Sequence, residues 1–266
     1  MSSSIYEGEL FERAVSANNL SARIIINEKY SSTNFNDWLL LRLNVEKGYH
    51  ILDVGCGNGA QTIPFWLAVG EKGSVSALDI SAESVRILRE KTKDATNLQV
   101  TVADMGNLKQ VIEEQFRVQR YDLAHSAYSL YYSSNPQNVL DSMRNSLNGE
   151  GKLAIFTPNE PHGMVNFVKQ FTSVPKQVDD CLVFGPRFLE PYFRRHFWDV
   201  SISFFHNVIK LRNVEDFINF YRVTTYYDRR VEKELAEEVQ QHITEQGYFE
   251  YEKNGYLIIG QHQFPS

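Results

Sequence analysis

Between residues 49 and 158, short runs of β-branched and apolar residues alternate with longer stretches in which apolar positions recur every three or four residues. Buried strands produce the first pattern and amphipathic crossover helices the second, so the block predicts a parallel sheet flanked by helices. The strands fall at His50–Val54, Ser74–Asp79, Leu98–Ala103, Tyr121–Ser126 and Lys152–Pro158. Helical spacing covers Gln61–Val69, Ala82–Lys93, Leu108–Gln115 and Pro136–Leu147. Ser81 stands where it can cap the second helix, and Asn148-Gly149 where it can stop the last.

The flanks have a different character. In residues 1–47 the apolar positions Leu10, Phe11, Leu20, Ile24, Ile25, Trp38, Leu39 and Leu41 predict two or three short helices. After the block, Pro161–Ser173 reads as a helix or lid, Arg187–Phe197 as a helix and Val200–Phe205 as a sixth strand. Val214–Tyr227 and Val231–Gln246 are helical again, and Tyr248–Gln263 is strand material turned back at Asn254-Gly255, a strong hairpin signal. With no repeat and no linker, the expectation is one domain: a helical cap (1–47), a ligand-binding core (48–158) and a covering segment (159–266).

Composition narrows the partners. A formal charge of −6 and a pI near 5.7 lack the basic footprint that a phosphate backbone requires, which disfavours nucleic acid. Two cysteines, Cys56 and Cys181, are too few for a disulfide framework or a cysteine zinc site, so no metal is expected. No basic segment followed by an apolar stretch opens the chain, and no apolar run approaches the roughly 18 residues of a membrane span. The expectation is a cytoplasmic protein without membrane contact, its oligomeric state open.

The chemistry gathers at His50–Thr62, HILDVGCGNGAQT, where Gly55, Gly57 and Gly59 follow the first strand and Asp53 lies within it. A glycine turn between strand and helix lets backbone approach a ligand, and the following helix start favours negative charge. Read as Gly55-x-Gly57-x-x-Ala60, with Asp79 ending the second strand, the loop also satisfies a relaxed dinucleotide fingerprint. Asp53 argues against that ligand: a half-buried carboxylate needs a donor or cation, which an ammonium-bearing ligand brings, whereas it repels a pyrophosphate.

ILDVGCGNG closely resembles the first motif of the class I S-adenosylmethionine-dependent methyltransferases, and three further motifs follow in order. VSALDIS resembles the second, VTVADMGNL the third, and YDLAHSAYSLYY the segment after strand four. The resemblance implies a Rossmann-like, doubly wound α/β fold. Its seven-stranded sheet would be mostly parallel with an antiparallel last strand, joined by N-terminal helices and helical insertions after strands 5 and 6. It implies S-adenosylmethionine as cofactor, with Asp53, Gly55, Cys56, Gly57, Asn58 and Gly59 around the methionine part. Asp79 would take the ribose hydroxyls with Ile80 against adenine; Asp104 would accept from the adenine amino group with Met105 lining the ring. His125 and Ser126 would line the methionine pocket.

For the reaction, the resemblance implies that Tyr128 faces the transferred methyl, and His125 and His162 are candidate bases if the acceptor holds a proton that must leave. The cluster Tyr128, Tyr131 and Tyr132 is as readily core as substrate wall. Arg187, Arg194 and Arg222 are candidates to pair an acidic substrate. HSAYSL stands where base-amino methyltransferases carry Asn/Asp-Pro-Pro-Tyr/Phe, which further weakens a nucleic-acid role. The leading expectation is methyl transfer to an O, N or C atom of a small molecule. The alternatives are an NAD-dependent dehydrogenase and a cofactor-binding protein without transfer activity.

Overall fold

The computed structural model of the chain describes residues 8–263. Three helices come first, α1 (Gly8–Val15), α2 (Ala17–Tyr30) and α3 (Phe35–Leu43). The alternating block then gives β1 (His50–Val54), α4 (Thr62–Val69), β2 (Ser74–Asp79), α5 (Ala82–Lys91) and β3 (Leu98–Val102). It continues through α6 (Leu108–Glu114), β4 (Tyr121–Ala127), α7 (Pro136–Asn145) and β5 (Leu147–His162). The remainder adds α8 (Gly163–Val168), α9 (Lys176–Leu182), α10 (Glu190–His196), β6 (Phe197–Phe205), β7 (Val208–Leu211), α11 (Val214–Arg222), α12 (Glu232–Gln246) and β8 (Phe249–Gln263).

The strands make one sheet in the order β3-β2-β1-β4-β5-β8-β6, with β7 on the first half of β8. The pairs from β3 to β5 are parallel, and β8 runs antiparallel to β5, β6 and β7. Ile51, Leu52 and Val54 of β1 have no exposed surface, as a strand covered on both faces requires. Strand order reverses between β1 and β4, and in such sheets the crevice beyond the carboxyl ends at the reversal is where ligands bind. Ser81 caps α5, accepting from the Ser84 N–H, whereas α7 ends at Asn145, short of Asn148-Gly149. Asn148 instead donates its amide to Asp122, which also accepts the His50 N–H at 2.7 Å and so ties β1 to β4.

Two expectations are corrected. The sheet has eight strands rather than seven, because Val208–Leu211, too short to stand out as a pattern, pairs with Phe249–Glu252. Asn254-Gly255 makes no hairpin: it lies inside the continuous strand β8. A Cβ at Gly255 would sit 1.9 Å from Phe156 Cζ, so this glycine serves close packing, and Asn254 donates its amide to the Pro161 carbonyl at 3.0 Å.

A second apolar cluster joins Ile26 of α2, Phe167 of α8, Phe217 and Tyr221 of α11, Leu235 of α12 and Phe249 of β8. It fixes the N-terminal helices against the C-terminal segment. Arg13 donates to the Arg222 carbonyl at 2.7 Å, Arg23 to the Ala14 and Val223 carbonyls at 3.0 and 3.3 Å, and Lys29 pairs with Asp216 at 2.6 Å. The two chain ends thus form one cover over the carboxyl edge of the sheet.

Candidate active site

The glycine loop turns sharply because three residues take positive φ: Gly55 at +78°, Gly57 at +52° and Gly59 at +90°. A Cβ at Gly55 would lie 2.3 Å from Ser129 Oγ, and one at Gly57 would lie 2.7 Å from Leu20 Cδ2 of α2. The Gly55 and Cys56 N–H groups donate to the Leu78 carbonyl at 2.9 and 3.0 Å. The Gly57 N–H donates to Asp79 Oδ2 and the Ser81 N–H to Asp79 Oδ1, both at 2.8 Å. Burial pushes the Asp79 pKa up, against the pull of these backbone donors. Asn58 donates to Ser21 Oγ at 3.2 Å, so α2 lies directly over the loop.

Asp53 has its compensation inside the protein. Only 2 % exposed, it accepts from Thr62 Oγ1 at 2.6 Å and from His125 Nδ1 at 2.9 Å. His125 is fully buried, edge-on to Phe65, and its Nε2 has no partner among the described residues. Ser126 bonds Ser129 at 2.6 Å, and Ser129 donates to the Val54 carbonyl at 3.0 Å. These side chains buttress the loop from beneath.

Above it opens a cavity of about 830 Å³. On one side it is lined by Gly55, Cys56, Gly57, Asn58, Asp79, Ile80, Asp104, Met105 and Ser129. Asp104 is held by the Gly106 N–H at 2.7 Å. The residues beyond β4 and β5 and the chain's end supply Tyr128, Tyr131, Tyr132, His162, Asn207, Tyr226 and Lys253, while α2 contributes Arg23. Among the residues expected at the site, Asp53, Gly59, His125 and Ser126 are outside this lining; a Cβ on Gly59 would meet Leu88 of α5 instead.

Tyr128 stands at φ +56°, an uncommon conformation for a residue with a side chain and one that persists only where its surroundings enforce it. Its ring packs on Phe156 and Phe35 at 4.9 and 5.8 Å, and burial holds the phenol protonated, far above its ordinary range. Burial and the nearby Lys253 charge bring His162 down to about 4. The neutral ring accepts the Val165 N–H on Nδ1 at 3.4 Å, which leaves its proton on Nε2. His162 is therefore a donor at neutral pH.

The arginines proposed for an acidic substrate are engaged elsewhere: Arg194 with Glu190 and Arg222 with Glu232, both at 2.6 Å, and Arg187 is exposed outside the lining. The cavity's basic side chains are Arg23 and Lys253, which sequence reasoning missed.

The methyltransferase-domain family matches residues 45–188, more than half of the chain. The chain belongs to this family, in its class I S-adenosylmethionine-dependent branch. A demethylmenaquinone methyltransferase of Staphylococcus epidermidis is 41 % identical over 66 residues, which is 25 % of this chain and 27 % of that protein. Across the first curated relatives the chain spans from about a quarter to half of their length. The [4+2]-cyclase SpnF superposes with a TM-score of 0.57 at 13 % identity, covering 97 % of this chain and 99 % of that one. An arsenic(III) S-adenosylmethionine methyltransferase from Chlamydomonas reinhardtii gives 0.51 at 15 % identity, covering 84 % and 66 %. These two likenesses concern the fold.

Proposed function

We propose that the chain binds S-adenosylmethionine in this cavity and transfers its methyl group to an O, N or C atom of a small molecule. The observation that carries this reading is a cradle in which Gly55 and Gly57 have no room for a Cβ, flanked by Asp79 and Asp104 at the carboxyl ends of β2 and β3. Carboxylates at those two ends suit a nucleoside that offers hydroxyls and an exocyclic amine, and they disfavour a phosphate. When bound, the cofactor supplies an electrophilic methyl on a sulfonium. Asp79 accepts from the ribose, Ile80 and Met105 enclose the base, and the backbone from Gly55 to Asn58 receives the amino-acid part. Asp53 and His125 act from beneath as positioning residues.

In-line displacement from a bound sulfonium would draw much of its rate from alignment. Tyr128, Tyr132 and Tyr226 exclude water and present aromatic faces, which favour a cationic centre. His162 offers an N–H to the acceptor and Tyr128 a hydroxyl. The cover built from residues 8–47 and 159–263 closes over the core 48–158 as one domain, in a cytoplasmic setting that suits the reduced thiols of Cys56 and Cys181. Among the described residues, no helix is long and apolar enough to cross a membrane.

Thermal-shift titration tests the cofactor. S-adenosylmethionine and S-adenosylhomocysteine are expected to stabilise the protein, and NAD and NADP to leave it unchanged. Stabilisation by nicotinamide cofactors alone would sink the reading. Appearance of labelled methyl in a metabolite extract distinguishes transfer from binding without turnover.

A further inference from the structure

Among the described residues, Lys253 has no counterion. It stands on β8 opposite His162 of β5, with its backbone N–H on the Asn207 carbonyl at 2.8 Å, so a rigid strand presents it to the cavity. Its ammonium rests 5.3 Å from the centroid of the Tyr128 ring, and among the described residues it makes no ion pair and no side-chain hydrogen bond. Arg23 is the nearest influence of its own sign, and its guanidinium is spent on the carbonyls of Ala14 and Val223, which do not neutralise it. Two positive side chains therefore share one largely apolar space. Burying charge in this way costs free energy unless a ligand of opposite sign arrives.

The other groups facing this space do not supply that sign. His162 is neutral, burial keeps Tyr128 and Tyr226 protonated, and Glu28 of α2 is exposed at the rim. Asp79 and Asp104 line the glycine-loop side and are held by backbone donors there. Burial and the Arg23 charge lower Lys253 to about 7.

Resting on the methyl-transfer reading, we propose that Lys253 receives the negative oxygen of an anionic acceptor, a small molecule with a carboxylate, phenolate or enolate oxygen on an apolar body. The tyrosines enclose that body, and the His162 N–H gives the oxygen a second donor. The anionic oxygen, or the α-carbon of an enolate, is already nucleophilic: its electron pair would form the new bond to the methyl as the carbon–sulfur bond breaks and that pair leaves on the sulfur of S-adenosylhomocysteine, so no proton has to be removed.

The test uses the full chain loaded with S-adenosylhomocysteine, whose own carboxylate is then already bound. A panel of aromatic and medium-chain carboxylic acids, each paired with its primary amide, is titrated at pH 6.5. The acids are expected to bind about tenfold more tightly than their amides, the size of one hydrogen bond to a charged group. Lys253→Met should abolish that preference and leave affinity for S-adenosylhomocysteine unchanged, and Lys253→Arg should retain the preference. Three outcomes overturn the proposal: no acid preferred over its amide across the panel, a preference that survives in Lys253→Met, or a tenfold loss of S-adenosylhomocysteine affinity in that variant, which would assign Lys253 to the cofactor. Failure of the unmodified chain to bind S-adenosylhomocysteine would instead refute the methyl-transfer reading itself.

Discussion

A carboxylate buried beneath a glycine loop must find its donors within hydrogen-bonding distance, and Asp53 finds them in Thr62 and His125. Nothing in the local pattern announces this, because the donors stand 9 and 72 residues away. Thr62→Val keeps the side chain's shape and removes one donor from a buried charge. Unfolding stability should fall by about 1–3 kcal/mol, read as a lower denaturant midpoint at unchanged slope. An unaltered midpoint would show that Asp53 draws its compensation from elsewhere. Asp79 is different, since its carboxylate both steadies the Gly57 N–H and lines the cavity. Asp79→Ala is expected to weaken S-adenosylhomocysteine binding about 100-fold, the loss of two charged hydrogen bonds. Gly57→Val, which drives a Cβ into Leu20, should remove binding altogether. Calorimetric affinities equal to those of the unmodified chain would refute the site.

At the scale of elements, the block from β1 to β5 was legible because each unit is self-describing: a strand run, a turn residue, an amphipathic stretch. Ser81 and the glycine loop could be read without neighbours. The C-terminal part was harder, because its strands are specified by packing across the sheet. Asn254-Gly255 has the composition of a turn, yet the chain stays extended there because β8 is held between β5 and β6, and glycine is the residue that admits Phe156. Propensity yields to tertiary context at such positions. Lys253 and Arg23 were invisible for the same reason: their meaning lies in what faces them across the cavity, and they are 230 residues apart. Gly255→Val tests the packing argument. The Phe156 ring is hemmed in by Phe35, Trp38 and Tyr128, so it cannot swing away. A loss of about 1–3 kcal/mol is expected, the usual cost of overpacking, and Phe156→Leu in the same chain should restore part of it. Equal stability of Gly255→Val and the unmodified chain would mean that β8 has freedom to shift.

For the whole molecule, two basic groups depressed by burial make stability depend on pH in one direction. His162 titrates near 4 in the folded protein against an ordinary 6.5, and Lys253 near 7 against 10.5. Between each pair of values the unfolded chain binds more protons than the folded one, so unfolding becomes harder as pH rises. The His162 contribution is fully present above about pH 6.5 and is lost as pH falls to about 4. The Lys253 contribution grows from pH 7 upward and is complete only near 10.5. Comparison with Lys253→Met isolates the second window, since every other titrating group is shared. The unmodified chain should gain melting temperature on the variant steadily from pH 7 to pH 9.5. A parallel pair of curves would show that Lys253 is solvated in the folded state. An anion seated on Lys253 stabilises its charged form, so a bound acid should flatten this divergence while the matching amide leaves it intact. The stability profile thus reports the charge of the cavity without any turnover.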